Sequence, residues 1–206
     1  MKLKHISHLI TGSVMELFGV MADGKVVNSY ELTNKRGAKL KVINYGATVT
    51  SLKIPLKSGE MVDVVLGFDT LENYINSFDL ESAPYLGATV GRYAGRINNA
   101  TFNLNGEIIH LDKNNNGHSL HGGKDNFSKK VWEVKNVNEG CSPSITFSYL
   151  SPANEGNYPG DLSVELTYTL SENNELIIEY NAQTTEDTVL NLTHHSYFNL
   201  DGHDSS

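Results

Sequence analysis

The side chains able to move protons are concentrated in two short stretches. Asn191-Leu192-Thr193-His194-His195-Ser196-Tyr197-Phe198-Asn199-Leu200 sets two histidines side by side between a β-branched residue and two aromatics. His118-Ser119-Leu120-His121-Gly122-Gly123 supplies a second pair, three residues apart. An imidazole with an unperturbed pKa of about 6.5 gives or takes a proton near neutral pH. Neighbouring side chains on a strand point to opposite faces, so only one of His194 and His195 can face a given cleft. Read alone, either stretch is more simply a set of partly buried histidines satisfied by hydrogen bonds. Arg92 and Arg96 flank Tyr93-Ala94-Gly95, where Gly91 and Gly95 permit tight turns. Each arginine suits either a ligand or a surface carboxylate.

Other chemistries lose their footing in the same residues. Gly87-Ala88-Thr89-Val90-Gly91-Arg92 is glycine-rich but has no Gly-Lys-Ser/Thr ending, so a phosphate-binding loop is not expected. There is no Gly-x-Ser-x-Gly elbow for a serine hydrolase. Eight histidines invite a metal, with His5 and His8, His118 and His121, and the group His194, His195, His203 and Asp204 as candidates. No helical spacing or cysteine pair gathers three or four of them, so no metal and no cofactor is expected.

The elements that must position these residues read as strands. Leu162, Val164, Leu166, Tyr168 and Leu170 alternate with polar residues, and Leu176, Ile178 and Tyr180 return after Asn173-Asn174. Asn105-Gly106 between two β-rich runs predicts a hairpin. Val62 to Phe68 reads as a strand covered on both faces. One short helix is expected after Asp69, with Asp69 and Glu72 as cap partners. Many short strands joined by Asn- and Gly-rich turns predict an all-β protein, an antiparallel β-sandwich.

Composition narrows the partners. With 206 residues and no evident linker, one domain over 1–206 is expected, with about 1–17 as an N-terminal extension. A net charge of −8, with no run of cations longer than the pairs Lys35-Arg36 and Lys129-Lys130, argues against nucleic acid. Thr11, Gly12, Ser13 and Glu16 interrupt any apolar run near the start, and no stretch reaches membrane-spanning length. Cys141 is the single cysteine, so no internal disulfide is expected. Together these predict a cytoplasmic protein with no membrane partner.

Six stretches in order resemble the galactose mutarotase (aldose 1-epimerase) family. They are Asn44-Tyr45-Gly46-Ala47, Asp63-Val64-Val65-Leu66-Gly67-Phe68, Gly91-Arg92-Tyr93-Ala94-Gly95-Arg96-Ile97, Ser119-Leu120-His121-Gly122-Gly123, Glu155-Gly156-Asn157-Tyr158-Pro159-Gly160 and the His194-His195 stretch. The resemblance implies a large antiparallel β-sandwich with a sugar cleft, and interconversion of the α and β anomers of a free aldose such as galactose or glucose. It implies His195 as general acid, His121 as a second active-site histidine on the ring-oxygen side, and Arg96 and Tyr197 as sugar contacts, without a cofactor. His194 stands where the family usually has asparagine. The family's glutamate base and a sugar-binding aspartate have no matching position before Ser206. The sequence is therefore read as an N-terminal portion, its sandwich incomplete at the C-terminus and its exposed strand edges open to self-association. Two alternatives stay open: a non-catalytic carbohydrate-binding remnant, and a hexose 6-phosphate epimerase using Arg92 and Arg96.

Overall fold

The computed structural model describes residues 9–10 and 13–204. His5 and His8 lie outside the described residues, as does most of the expected 1–17 extension. One antiparallel sheet runs in chain order through β1 (Leu9–Ile10), β2 (Ser13–Val20), β3 (Val26–Thr33), β4 (Lys39–Ile43), β5 (Thr48–Pro55) and β6 (Met61–Asp63). Among the described residues the strands thus begin at Leu9, ahead of the expected Phe18. Helix α1 (Leu71–Phe78) follows, burying Leu71, Tyr74 and Phe78. Its cap is Thr70, one residue beyond the expected Asp69, and the Thr70 side chain accepts from the Asn73 amide at 3.3 Å.

Short strands then build the region around the site: β7 (Thr89–Val90), β8 (Arg96–Ile97), β9 (Thr101–Leu104), β10 (Glu107–His110) and β11 (Ser119–Leu120). The predicted hairpin joins β9 to β10, with Asn105 at φ +53 and Gly106 at φ +88 as a mirror-image turn requires. A second antiparallel sheet contains β12 (Glu133–Asn138), β13 (Ser144–Ser151), β14 (Leu162–Leu170) and β15 (Leu176–Thr184), and a last strand, β16 (Thr193–His194), pairs with β7.

The two main sheets face each other over one core. Leu32, Leu40 and Val42 of the first meet Ile145, Phe147, Val164 and Leu166 of the second, all fully buried. Tyr30 and Phe147 meet edge to face across the layer, with ring centroids 6.1 Å apart. The alternation read in β14 holds residue by residue, Leu162 to Leu170 being buried at every second position. The Tyr168 hydroxyl crosses the interface and donates to the Ala47 carbonyl at 2.7 Å. Leu176, Ile178, Tyr180 and Ala182 of β15, each partly buried, pack on the same core.

The stretch 62–68 differs from its reading as one covered strand. Regular pairing ends at Asp63, and beyond it the chain is bonded to the C-terminal segment. The Leu66 amide donates to the Tyr197 carbonyl at 3.0 Å and the Asn199 amide to the Val64 carbonyl at 2.9 Å. This pairing draws the His194-His195 stretch across the molecule toward β7.

Candidate functional site

The segment Gly91–Arg96 lies between the two histidine stretches and is bonded to both. On one side Arg92 C=O accepts from the Asn191 amide at 2.9 Å, and the Ala94 amide donates to Asn191 C=O at 2.7 Å. On the other, the His121 amide donates to Gly95 C=O at 3.0 Å, and the Gly95 amide donates to His121 Nδ1 at 3.1 Å. The flanking pairs continue the arrangement, β7 with β16 and β8 with β11. Gly122 explains the closeness of the His121 turn: a Cβ there would lie 2.0 Å from Gly91 O, at a backbone φ of +89.

Arg92 anchors this segment from beneath. The residue is 2% exposed. Its guanidinium donates to Ser151 Oγ at 3.0 Å and to the carbonyls of Ser151, Pro152 and Pro159 at 3.0, 2.8 and 2.8 Å. Burial lowers its pKa, with Glu155 the leading opposing charge. Glu155 accepts from Tyr149 Oη at 2.6 Å and Ser151 Oγ at 2.5 Å and pairs with Lys130 at 2.7 Å. Arg92 therefore holds the loop around residues 151–159 and is not among the residues lining the cavity over the histidines.

Above the segment, His121 and His195 approach edge to face, their ring centroids 5.4 Å apart. The His195 backbone is fixed by its amide donating to Ala88 C=O at 2.9 Å and its carbonyl accepting from the Gly87 amide at 3.0 Å. Tyr85 touches both imidazoles, at 5.3 Å from His121 and 6.0 Å from His195. Tyr85 stacks on Phe78, which stacks on Tyr45, so an aromatic column rises from the core to the histidines. Tyr85 and His121 both hold positive φ, +51 and +56. Non-glycine residues in this region cost on the order of 1–3 kcal/mol each and gather at functional positions.

A cavity of about 560 Å³ opens over these rings, lined by Tyr85, Arg96, His121, His195 and Tyr197 together with the polar loop at Asn114–Asn116. Arg96 is exposed and directed by Asn115, whose Oδ1 accepts from Nε at 3.0 Å. A second opening of about 510 Å³ shares His121, His195 and Tyr197 and adds His194 and Ser196. The four residues singled out in the sequence, His195, His121, Arg96 and Tyr197, thus border one cavity. His194 turns the other way, with Nδ1 3.3 Å from Tyr168 Oη and Nε2 2.6 Å from Ser196 Oγ. Sequence reasoning missed Tyr85 and Asn115. The Pro84-Tyr85-Leu86-Gly87 turn was the signal for the first.

No carboxylate bonds to the His121 or His195 ring among the described residues; the acids on the cavity wall are Asp79, paired with Lys129 at 2.6 Å, and Glu81. No group of three or more His, Cys, Asp or Glu able to hold a metal ion occurs among the described residues. Nor, among them, is any helix long and apolar enough to cross a membrane.

The family model for aldose 1-epimerase matches residues 28–206. Galactose mutarotase of Bos taurus is 44% identical over 167 residues, covering 81% of this chain and 46% of its own. Among solved structures, an aldose epimerase homologue from C. elegans superimposes with a TM-score of 0.75 at 38% identity, over 84% of this chain and 50% of its own. Galactose 1-epimerase of Lactobacillus acidophilus gives 0.78 at 27%, over 91% and 53%. The chain spans about half the length of the curated relatives it matches. The reading as an N-terminal portion with a sandwich incomplete at its C-terminus is replaced by a narrower statement: the chain carries about half of the family's length and is matched over most of its own. Similarity runs through residue 206, and the all-β fold superimposes over 84% and 91% of this chain. What the matches locate is the stretch of the family fold that the chain carries, not the extent of the protein.

Burial makes two of the histidines acid-sensitive. Burial, then the charges of His195 and Arg96, lowers the His121 pKa to about 4. Burial, then His195, does the same for His194, also to about 4. Between pH 4 and 6.5 the unfolded chain binds more protons at these positions than the folded one. Their neutral forms therefore add stability that is full above about pH 6.5 and lost as pH falls through 4. For the partly buried His194 the loss is on the order of 3 kcal/mol. Urea midpoints measured from pH 7 to 4 should fall steeply, and less so in His194→Asn; parallel curves would contradict the assignment.

Proposed function

We propose that this chain, which belongs to the aldose 1-epimerase family, binds a free hexose over His121 and His195 and interconverts its α and β anomers by acid–base ring opening. His195 protonates the ring oxygen as general acid, and His121 holds and polarises the same side of the ring. Arg96 and Tyr197 bind hydroxyls, and Tyr85 offers a flat apolar wall. A carboxylate base takes the proton of the C1 hydroxyl as the bond from C1 to the ring oxygen breaks; the aldehyde turns about C1–C2, and on closure the ring-oxygen hydroxyl returns its proton to His195 while the base reprotonates the C1 oxygen of the other anomer. The observation that carries this reading is the convergence of three separated sequence stretches on one cavity, with the two imidazoles 5.4 Å apart. Galactose and glucose are the substrates expected, in a cytoplasmic setting and within one domain.

One observation favours a second reading, a module that holds an aldose without anomerising it: no carboxylate bonds to either imidazole among the described residues. The hexose 6-phosphate reading loses Arg92, whose guanidinium is occupied by protein acceptors. Self-association is expected along β15, an edge strand of nine residues without lysine or proline.

Polarimetry of freshly dissolved α-galactose and α-glucose tests the enzyme reading. Anomerisation should be faster with the chain and fall by about 10²–10⁴-fold in His195→Ala, the usual worth of a placed proton donor. Near-wild-type rates in that variant would remove His195 as the acid, and calorimetric sugar binding without anomerisation would favour the binding module. Sedimentation velocity should show dimers that Ile177→Lys disperses; a monomer at all concentrations would refute pairing along β15.

A further inference from the structure

We propose that hydrogen bonds divide the three histidines of the site between two roles: His121 and His194 are held neutral in opposite tautomers, and His195 alone exchanges a proton with the sugar. The sugar-directed part of this division rests on the acid–base reading above.

The main chain fixes His121. The Gly95 amide lies 3.1 Å from Nδ1, and a backbone N–H can only donate. Nδ1 therefore carries the lone pair and Nε2 the proton. The reverse bond, His121 amide to Gly95 carbonyl at 3.0 Å, holds the two segments in register. Nε2 occupies the ring edge away from Gly95, on a residue that borders both openings. What His121 offers a ligand is a neutral N–H. Such a group recognises the lone pair of an ether or hydroxyl oxygen and cannot take a hydroxyl proton through that nitrogen. A neutral imidazole acting as a polarising donor is an established way to assist a reacting oxygen without being its acid.

His194 is fixed with the opposite sense. Tyr168 spends its hydroxyl proton on the Ala47 carbonyl at 2.7 Å, so its oxygen can only accept from His194 Nδ1 at 3.3 Å. Nδ1 is therefore protonated, and Nε2 accepts from Ser196 Oγ at 2.6 Å. The chain Ser196, His194, Tyr168, Ala47 ends on a carbonyl and has nowhere to pass a proton. His194 thus serves as a positioning residue that pins the segment beside His195 to both sheets.

The charged and titratable groups facing these rings are few. His121 meets His195, Arg96 and Tyr85; His194 meets His195 and Tyr168. His195 differs from both: among the described residues its ring makes aromatic contacts with Tyr85, His121 and Tyr197 and no hydrogen bond to protein.

Long-range ¹H–¹⁵N correlation on the 206-residue chain with ¹⁵N-labelled histidine, at pH 7 and without sugar, reads all three tautomers. His121 should show a protonated Nε2 and a bare Nδ1, and His194 the reverse. Either ring in the other tautomer, or doubly protonated at pH 7, overturns the division. Tyr168→Phe should release the His194 tautomer while leaving His121 unchanged; a His194 pattern that ignores the change refutes the bridge. Because tautomers are read without turnover, an inactive chain with this pattern counts against anomerisation alone. An active chain with other tautomers counts against the division alone.

Discussion

Arg92 places a positive charge where water cannot reach it, and the surrounding chain is arranged to satisfy that charge. A buried guanidinium without partners would cost several kcal/mol, so its acceptors are held as firmly as it is. Those acceptors lie in one loop, at Ser151, Pro152 and Pro159, and Glu155 in the same loop supplies the nearby negative charge. The loop then backs the His121 turn, since a Cβ on Gly156 would lie 3.2 Å from Gly122 O. One charge far below the cavity thereby sets the height of the segment on which both histidine stretches hang.

From that segment the site gains its order by main-chain bonding. Each histidine stretch is fixed through backbone amides and carbonyls, and the Gly95 amide also holds the His121 ring through Nδ1. The aromatic column of Tyr45, Phe78 and Tyr85 closes the space behind the imidazoles, so both rings are half-buried on one side and open on the other. Partial burial keeps His121 neutral, and the opening leaves room for a sugar of several hydroxyls beside Arg96 and Tyr197.

Much of this was legible in the sequence, for reasons that differ by residue. The β14 alternation and the Asn105-Gly106 turn are local signals, and local sterics decide them. His195, His121, Arg96 and Tyr197 were legible through resemblance, since they stand far apart in the chain. The orientation of the twin histidines followed half-way from strand geometry: one had to turn inward, but only Tyr168 and Ser196 identify it as His194. Arg92 read equally as ligand or structural group because its acceptors are carbonyls some sixty residues away, which no spacing encodes. Tyr85 escaped because its role depends on a left-handed backbone held by tertiary packing.

The most direct test of this account is urea unfolding of Arg92→Met, which keeps the volume of the stem and removes the charge and its donors. If the buried guanidinium organises the site, stability should drop by at least about 3 kcal/mol, as when one partner of a buried charge network is removed. A change within about 0.5 kcal/mol, the range of an ordinary surface substitution, would contradict it. The segment Gly91–Arg96 would then owe its position to the strands alone.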